Sequence, residues 1–216
     1  MVRLRRDRQF RAAIFDLDGT LTDTRSSWQY LHQKFGTLDV GRRTAEMYHD
    51  GRIDYLEWAR LDAACWKGIS LVDLLPALNE IRYTPGAPEL IEQLRNHGIR
   101  TGIVSAGLSI LADRAKVDLN VDLVISNDLK VSNGVLTGEV FVRVGPDNKG
   151  TVIEEAAWLL GADMQEIIVI GDNLSDLPRS AGLKIAFKPV TIQARAVADI
   201  VVEDDDISGI ADHIFE

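Results

Sequence analysis

A short apolar run that stops at two acids, one residue apart, constrains this chain more than any other feature. Ala12-Ala13-Ile14-Phe15 reads as a buried strand, and Asp16-Leu17-Asp18-Gly19-Thr20 follows it directly. Gly19 permits a sharp turn just past the strand end. Carboxylates placed there stand where open α/β sheets bind their ligands. An aspartate in that position can act as a covalent nucleophile toward phosphorus and as a hard oxygen ligand for Mg²⁺. Taken alone, the pattern is equally an acidic turn after a strand.

The rest of the chain supports an enclosing α/β architecture. Its 216 residues suffice for one sizeable domain or a core with a smaller insert. With 46% hydrophobic and 26% charged residues, the composition is that of a soluble globular protein. A net charge of −9 disfavours nucleic acid as a partner, because phosphate backbones call for clustered Lys and Arg. The one basic cluster, Arg3, Arg5, Arg6, Arg8 and Arg11, reads as a solvated lead-in to the first strand. Cys65 is the single cysteine, which excludes an internal disulfide and fits a reducing cytoplasm. No apolar stretch has the length of a membrane span or of a signal peptide's core. Membrane association is therefore not expected, and nothing in the sequence sets the oligomeric state.

Residues 23–83 carry no strand pattern. They read as helices near 26–35, 42–49, 53–66 and 71–81, with Gly36, Gly51 and Gly68 as breaks. Trp28, Trp58 and Trp66 lie in this stretch. A helical insert at this point would sit over the carboxyl end of the first strand, as a cap. From Thr84 onward strand and helix alternate: strands at 99–105, 121–126, 166–170, 183–187 and 199–202, helices near 109–117, 149–160, 192–198 and 206–214. Asn133-Gly134 marks a small antiparallel ribbon near 128–142. This alternation predicts a doubly wound parallel sheet with helices on both faces, a small helical cap domain and a β-hairpin. The expected division is a core from residues 1–22 and 84–216, and a cap from 23–83.

Four segments place chemistry at strand ends or helix starts: Asp16-x-Asp18; Ser105-Ala106-Gly107 after Ile103-Val104; Lys149-Gly150 opening a helix; and Gly171-Asp172-Asn173-Leu174-Ser175-Asp176 after an apolar strand. Singly, each has an ordinary structural use. Ser105 could cap a helix, Lys149 could be a solvated lysine, and Asp172 and Asp176 could be turn and first-turn acids. Jointly they suit phosphoryl transfer. Mg²⁺ held by Asp16 and Asp172 would offset the charge of a phosphomonoester. Lys149 would add a point charge, and the Ser105 hydroxyl and backbone N–H groups such as that of Ala106 would bind phosphate oxygens. Asp18 is placed to protonate the leaving alkoxide and later to take a proton from water. His32, His49, His97 and His213 have no metal-like spacing.

These segments, in this order, resemble the haloacid dehalogenase superfamily of phosphohydrolases, and the helical insert resembles its C1-type cap. Within the superfamily the sequence is most similar to phosphoserine phosphatases, through Thr84-Pro85-Gly86-Ala87, Val104-Ser105-Ala106-Gly107, Ile125 to Leu129, Asn133 to Gly138 and Gly182 to Phe187. The resemblance implies Asp16 as nucleophile and Asp18 as acid/base. It implies Mg²⁺ on Asp16, Asp172 and the backbone carbonyl of Asp18, with Asp176 steadying the metal and Ser105 and Lys149 holding phosphate.

Departures fall on substrate recognition. Phosphoserine phosphatases carry a Glu where Arg25 stands and a cap Arg where Asp62 aligns, with Arg60 two residues earlier and Glu57 nearby. Ser175 replaces a usual Asn, and Ala106 a usual Gly. The sequence therefore predicts an Mg²⁺-dependent phosphomonoesterase for a small phosphorylated metabolite, with phosphoserine the leading named candidate although these charges speak against it. A phosphotransferase to an acceptor alcohol and a non-catalytic binding protein on the same fold are the alternatives. A dehalogenase would have no use for the metal and acid/base set. A dinucleotide binder would need the glycine fingerprint that is missing after the first strand.

Overall fold

Strand β1 (Ala12–Phe15) is buried on both faces, and its side chains alternate between two separate apolar cores. Ala13 and Phe15 join one core, while Ala12 and Ile14 join the other. A strand with that pattern belongs in the interior of a sheet covered on both sides. The computed structural model describes residues 9–215, so the arginines at positions 3, 5, 6 and 8 lie outside the described residues. Arg11 is exposed, 3.7 Å from Glu166.

After β1 come helices α1 (Ser27–Lys34), α2 (Leu38–His49), α3 (Tyr55–Ala64) and α4 (Leu71–Asn79). Then follow α5 (Ala87–Asn96), β2 (Arg100–Leu108), α6 (Ser109–Asp118), β3 (Leu123–Ser132), β4 (Val135–Phe141), α7 (Lys149–Leu159), β5 (Ile167–Gly171), β6 (Leu183–Phe187), α8 (Ile192–Val197), β7 (Ile200–Val202) and α9 (Ile210–Phe215). The seven-stranded sheet has the order β4-β3-β2-β1-β5-β6-β7. All neighbours are parallel except β3 and β4. The order reverses at β1, which pairs with β2 on one side and β5 on the other. Such a switch point opens a crevice at the carboxyl ends of the strands. This is the expected doubly wound α/β class, with a helical insert and a hairpin. Asn133 and Gly134 carry the paired positive φ values, 51° and 76°, of the tight turn they signalled.

Three differences from the sequence reading have local causes. β2 continues to Leu108, past Ser105, with a register shift against β3 between Val104 and Leu108. Ser105 thus lies within the strand and caps no helix; α6 starts at Ser109. Helix α2 begins at Leu38 and runs through Gly41. That glycine is a packing residue, because a Cβ there would stand 2.6 Å from the His32 ring. β3 runs unbroken into the hairpin, so the ribbon is an extension of the sheet.

The insert shares the sheet's core. Leu31, Trp66, Leu74 and Leu78 pack in the same apolar cluster as Phe15, Leu108 and Ile170. Its backbone also pairs with the hairpin, through Gly68 N–H to Leu136 O and Leu136 N–H to Ile69 O, each 2.8 Å. Arg114 of α6 donates to the carbonyls of Leu78 and Ile81, at 2.6 and 2.7 Å, answering orphan groups at the end of α4. Among the described residues no helix is long and apolar enough to cross a membrane.

A shared core predicts shared unfolding. Chemical denaturation followed by tryptophan fluorescence, weighted toward the insert, should superimpose on far-ultraviolet circular dichroism. Leu31→Ala should lower stability by about 3 kcal/mol in both signals together. An early, separate fluorescence transition would show that the insert is an independent unit.

Candidate active site

Neighbouring strand ends bring the acids together. The N–H of Asp16 continues the ladder to Ile170 O at 2.9 Å, so residues after β1 and β5 leave the sheet side by side. Carboxylate oxygens of Asp16, Asp172 and Asp176 lie within 4.8 Å of one another, and all three residues are buried. Lys149, the first residue of α7, reaches into this group. Its Nζ stands 2.6 Å from Asp16 Oδ1 and 2.6 Å from Asp176 Oδ1.

Glycines make the close approach possible. At Gly171 a Cβ would lie 2.3 Å from the Asp176 side chain, and at Gly19, with φ +81°, it would lie 2.7 Å from Asp172 Oδ2. Asp176 is further held by the Asn173 N–H at 2.8 Å, and Asp172 by Asn173 Nδ2 at 2.9 Å. Arg25, exposed over most of its side chain, comes within 3.5 Å of Asp172.

Asp18 takes a different environment. Its Oδ2 accepts from both the N–H and the Oγ–H of Ser27, each at 2.7 Å. Its Oδ1 is buried with no hydrogen-bond partner. Ser105 Oγ accepts from the Gly107 N–H at 3.0 Å, which leaves its own proton free to donate. Asp16, Asp18, Ser105, Ala106, Lys149 and Asp176 line one cavity of about 520 Å³.

Buried Asn127 ties the approaches together. Its amide donates to Ala106 O and Val144 O at 2.9 and 2.8 Å. Its carbonyl accepts from the N–H groups of Arg143 and Val144, both at 2.8 Å. The segment leading to Lys149 is thereby pinned to β2. Nothing in the sequence marked Asn127, or Ser27, as part of this site; each acts through contacts far from it in the chain.

Electrostatics follow from three acids against one buried ammonium. Burial, opposed by Lys149 and reinforced by Asp176 and Asp172, raises the Asp16 pKa from 3.8 to about 8. Burial and Asp176 raise Asp172 to about 7. Burial also raises Asp18, against the two hydrogen bonds from Ser27. For Lys149 burial favours the neutral amine, but Asp16 and Asp176 outweigh it and hold the charge. A set of hard oxygen donors with excess negative charge fits a divalent cation of the Mg²⁺ type. The acidic group joins Asp176 to the Asp16–Asp172 pair expected to hold the metal; the Asp18 carboxylate lies outside it.

The expected specificity residues separate. Arg25 and Asp62 line the cavity; Arg60 does not, and instead lies exposed 3.9 Å from Glu57. Asp62 is buried and engaged, accepting from Thr44 Oγ1 at 2.6 Å and standing 3.3 Å from His32 Nε2. The cavity wall also includes Tyr48, His49, Tyr55 and Trp58. The sequence reading assigned His49 no chemistry and favoured packing for the three tryptophans of the insert while allowing that one could line the pocket, since helical spacing shows a face and not what it faces.

Comparison with known proteins gives a consistent answer. The model of the haloacid dehalogenase-like hydrolase family matches residues 13–179. The phosphoserine phosphatase of Methanocaldococcus jannaschii is 30% identical over 206 residues, 93% of this chain and 96% of its own. That of Idiomarina loihiensis is 31% identical over 199 residues, 90% of this chain and 89% of its own. Among solved structures, a phospho-aspartyl intermediate analogue of phosphoserine phosphatase superposes with a TM-score of 0.82 at 26% identity, covering 95% of this chain and 99% of the other. A substrate-bound phosphoserine phosphatase complex gives the same score and identity over 96% and 99%.

The raised pKa values make a linked prediction. Asp16 and Asp172 keep protons in the folded state at pH values where the unfolded chain has released them. Their contribution is thus fully present below the ordinary value of 3.8 and is lost as pH rises through about 7 and 8. The melting temperature of chelator-treated protein should fall across that window. Added Mg²⁺ should reverse the fall, with a shift that grows with pH and shrinks in Asp172→Asn. A melting temperature insensitive to Mg²⁺ at pH 8 would contradict a cation site here.

Proposed function

The chain belongs to the haloacid dehalogenase-like hydrolases and is a phosphatase, and we propose that it cleaves the phosphomonoester of a small metabolite by way of a phosphoryl group carried on Asp16. The observation that carries this reading is one buried cavity wall. There Lys149 grips Asp16 and Asp176 while Asp18 keeps one carboxylate oxygen unpartnered.

In the first half-reaction an Asp16 oxygen attacks phosphorus and the bond from phosphorus to the ester oxygen breaks. Lys149 offsets charge on the nucleophile and the phosphoryl oxygens, and the Ser105 hydroxyl and the Ala106 backbone N–H donate to those oxygens. The departing alkoxide takes a proton from Asp18. Because Ser27 occupies Oδ2 with two donors, the proton of a neutral Asp18 belongs on Oδ1, the free oxygen. Burial raises the pKa of this carboxyl, which favours the proton-bearing form needed at the start. In the second half-reaction Asp18, now a carboxylate, takes a proton from water as that water attacks the phosphoryl group. Inorganic phosphate leaves and Asp16 is regenerated.

Mg²⁺, held by Asp16, Asp172 and the backbone carbonyl of Asp18 and steadied by Asp176, would neutralise the phosphoryl oxygens and let Asp16 ionise despite its burial. Residues 23–83 act in this reading as a cap domain over a core built from 1–22 and 84–216, excluding water and contacting the leaving group. Support for that role comes from Trp28 and Tyr55, both of which bond the Ala106 carbonyl inside the cavity.

Phosphate release from acetyl phosphate should require Mg²⁺ and drop by about a thousandfold or more in Asp16→Asn. Asp18→Asn should slow turnover by about 10²–10⁴-fold and leave a phosphorylated protein detectable by mass spectrometry, since hydrolysis of the intermediate loses its base. Full activity in Asp16→Asn would overturn the mechanism.

A further inference from the structure

We propose that the preferred substrate is a phosphomonoester whose alcohol carries a flat aromatic ring, held against Tyr48 and Trp58; this rests on the phosphatase reading above and specifies the leaving group. The cavity has two chemically different walls. One is the acid, lysine and serine wall just described. The other comes from the insert, where Tyr48 and Trp58 stack with ring centroids 4.6 Å apart and planes 23° apart. Tyr55 meets both edge-on, at 6.1 Å from Tyr48 and 6.0 Å from Trp58. All three rings line the same cavity as Asp18 and Ser105. Its volume of about 520 Å³ lies within the ~300–1,000 Å³ range of pockets that enclose drug-sized ligands.

Several groups that could hold an amino-acid leaving group already have partners in the protein. An ammonium needs a free acceptor, yet the Ala106 carbonyl already receives Trp28 Nε1 at 3.0 Å, Tyr55 OH at 3.2 Å and Asn127 Nδ2 at 2.9 Å. Asp62 accepts from Thr44 on one oxygen and has its other 3.3 Å from His32 Nε2. A carboxylate needs a free cation. Lys149 is held by two aspartates, while Arg25 makes one 3.5 Å contact with Asp172 and is otherwise exposed. An aromatic body extends a stack that is already formed and asks for no further charge.

The test compares benzyl phosphate, propyl phosphate and phosphoserine, all esters of primary alcohols, by kcat/KM at fixed Mg²⁺. Benzyl phosphate should exceed each of the others by about tenfold. The benzyl-to-propyl ratio should collapse to near one in Tyr48→Leu and Trp58→Leu and persist in Trp58→Phe. Circular dichroism and melting temperature report whether each variant is folded. A ratio near one in the unmodified protein, an unchanged ratio in both leucine variants, or a preference for phosphoserine would overturn the inference. Acetyl phosphate separates the two levels. If its Mg²⁺-dependent, Asp16-dependent hydrolysis persists while the ratio is flat, only the aromatic leaving group is wrong. If it too is missing, the phosphatase mechanism falls and the leaving group with it.

Discussion

One ammonium among buried carboxylates is the constraint on which the rest of this structure depends. Lys149 sits between Asp16 and Asp176, with Asp172 close by, and none of the four is appreciably exposed. Burying such a set is unfavourable, because each ion gives up its hydration and the charges do not balance. The pKa shifts express that imbalance, with two of the acids moved toward neutrality. A core evolved for stability alone would replace these residues with apolar ones of similar volume. A site that is too negative by itself has the charge to accept a divalent cation, which is the role proposed for it.

The scaffold holds this arrangement by placing it at the ends of paired interior strands. β1 is the sheet's interior strand at the reversal of order, so residues just past β1 and β5 and those in the carboxyl-terminal part of β2 converge without long connections. The fourth contributor, Lys149, arrives from a helix that follows the hairpin and needs a separate tether. Asn127 supplies it by using its whole hydrogen-bonding capacity on Ala106, Arg143 and Val144. The last two residues precede α7 and the first belongs to β2, so a single amide sets the distance between the serine and lysine sides of the cavity.

Much of the fold and of the polar wall was legible in the sequence because local rules fixed it. Continuous apolar runs identified Ala12–Phe15 and 166–170 as interior strands, the second observed at Ile167–Gly171, and Asn133-Gly134 identified the hairpin. What escaped depends on contacts distant in the chain. The extent of β2 beyond Ser105 is decided by a register shift against β3, and the helical state of Gly41 by the His32 ring. Ser27 and Asn127 have no marked spacing from the acids they serve. Arg60 looked like a candidate because only its distance along α3 could be counted, and its direction is away from the cavity.

Asp62 shows why charge read from an alignment is an incomplete guide to recognition. On paper an aspartate in place of an arginine inverts the local charge and invites a cationic substrate. In the folded protein that carboxylate is inside the insert, accepting from Thr44 and facing His32, while His32 Nδ1 lies 2.8 Å from Thr37 Oγ1. Trp66 closes the group by donating from Nε1 to the same Thr37 hydroxyl at 3.3 Å. Asp62 therefore organises α1, α2 and α3 around a buried polar centre. Asp62 thus lines the cavity while its carboxylate is engaged with Thr44 and lies beside His32. The proposed aromatic surface would instead read a leaving group by shape and stacking.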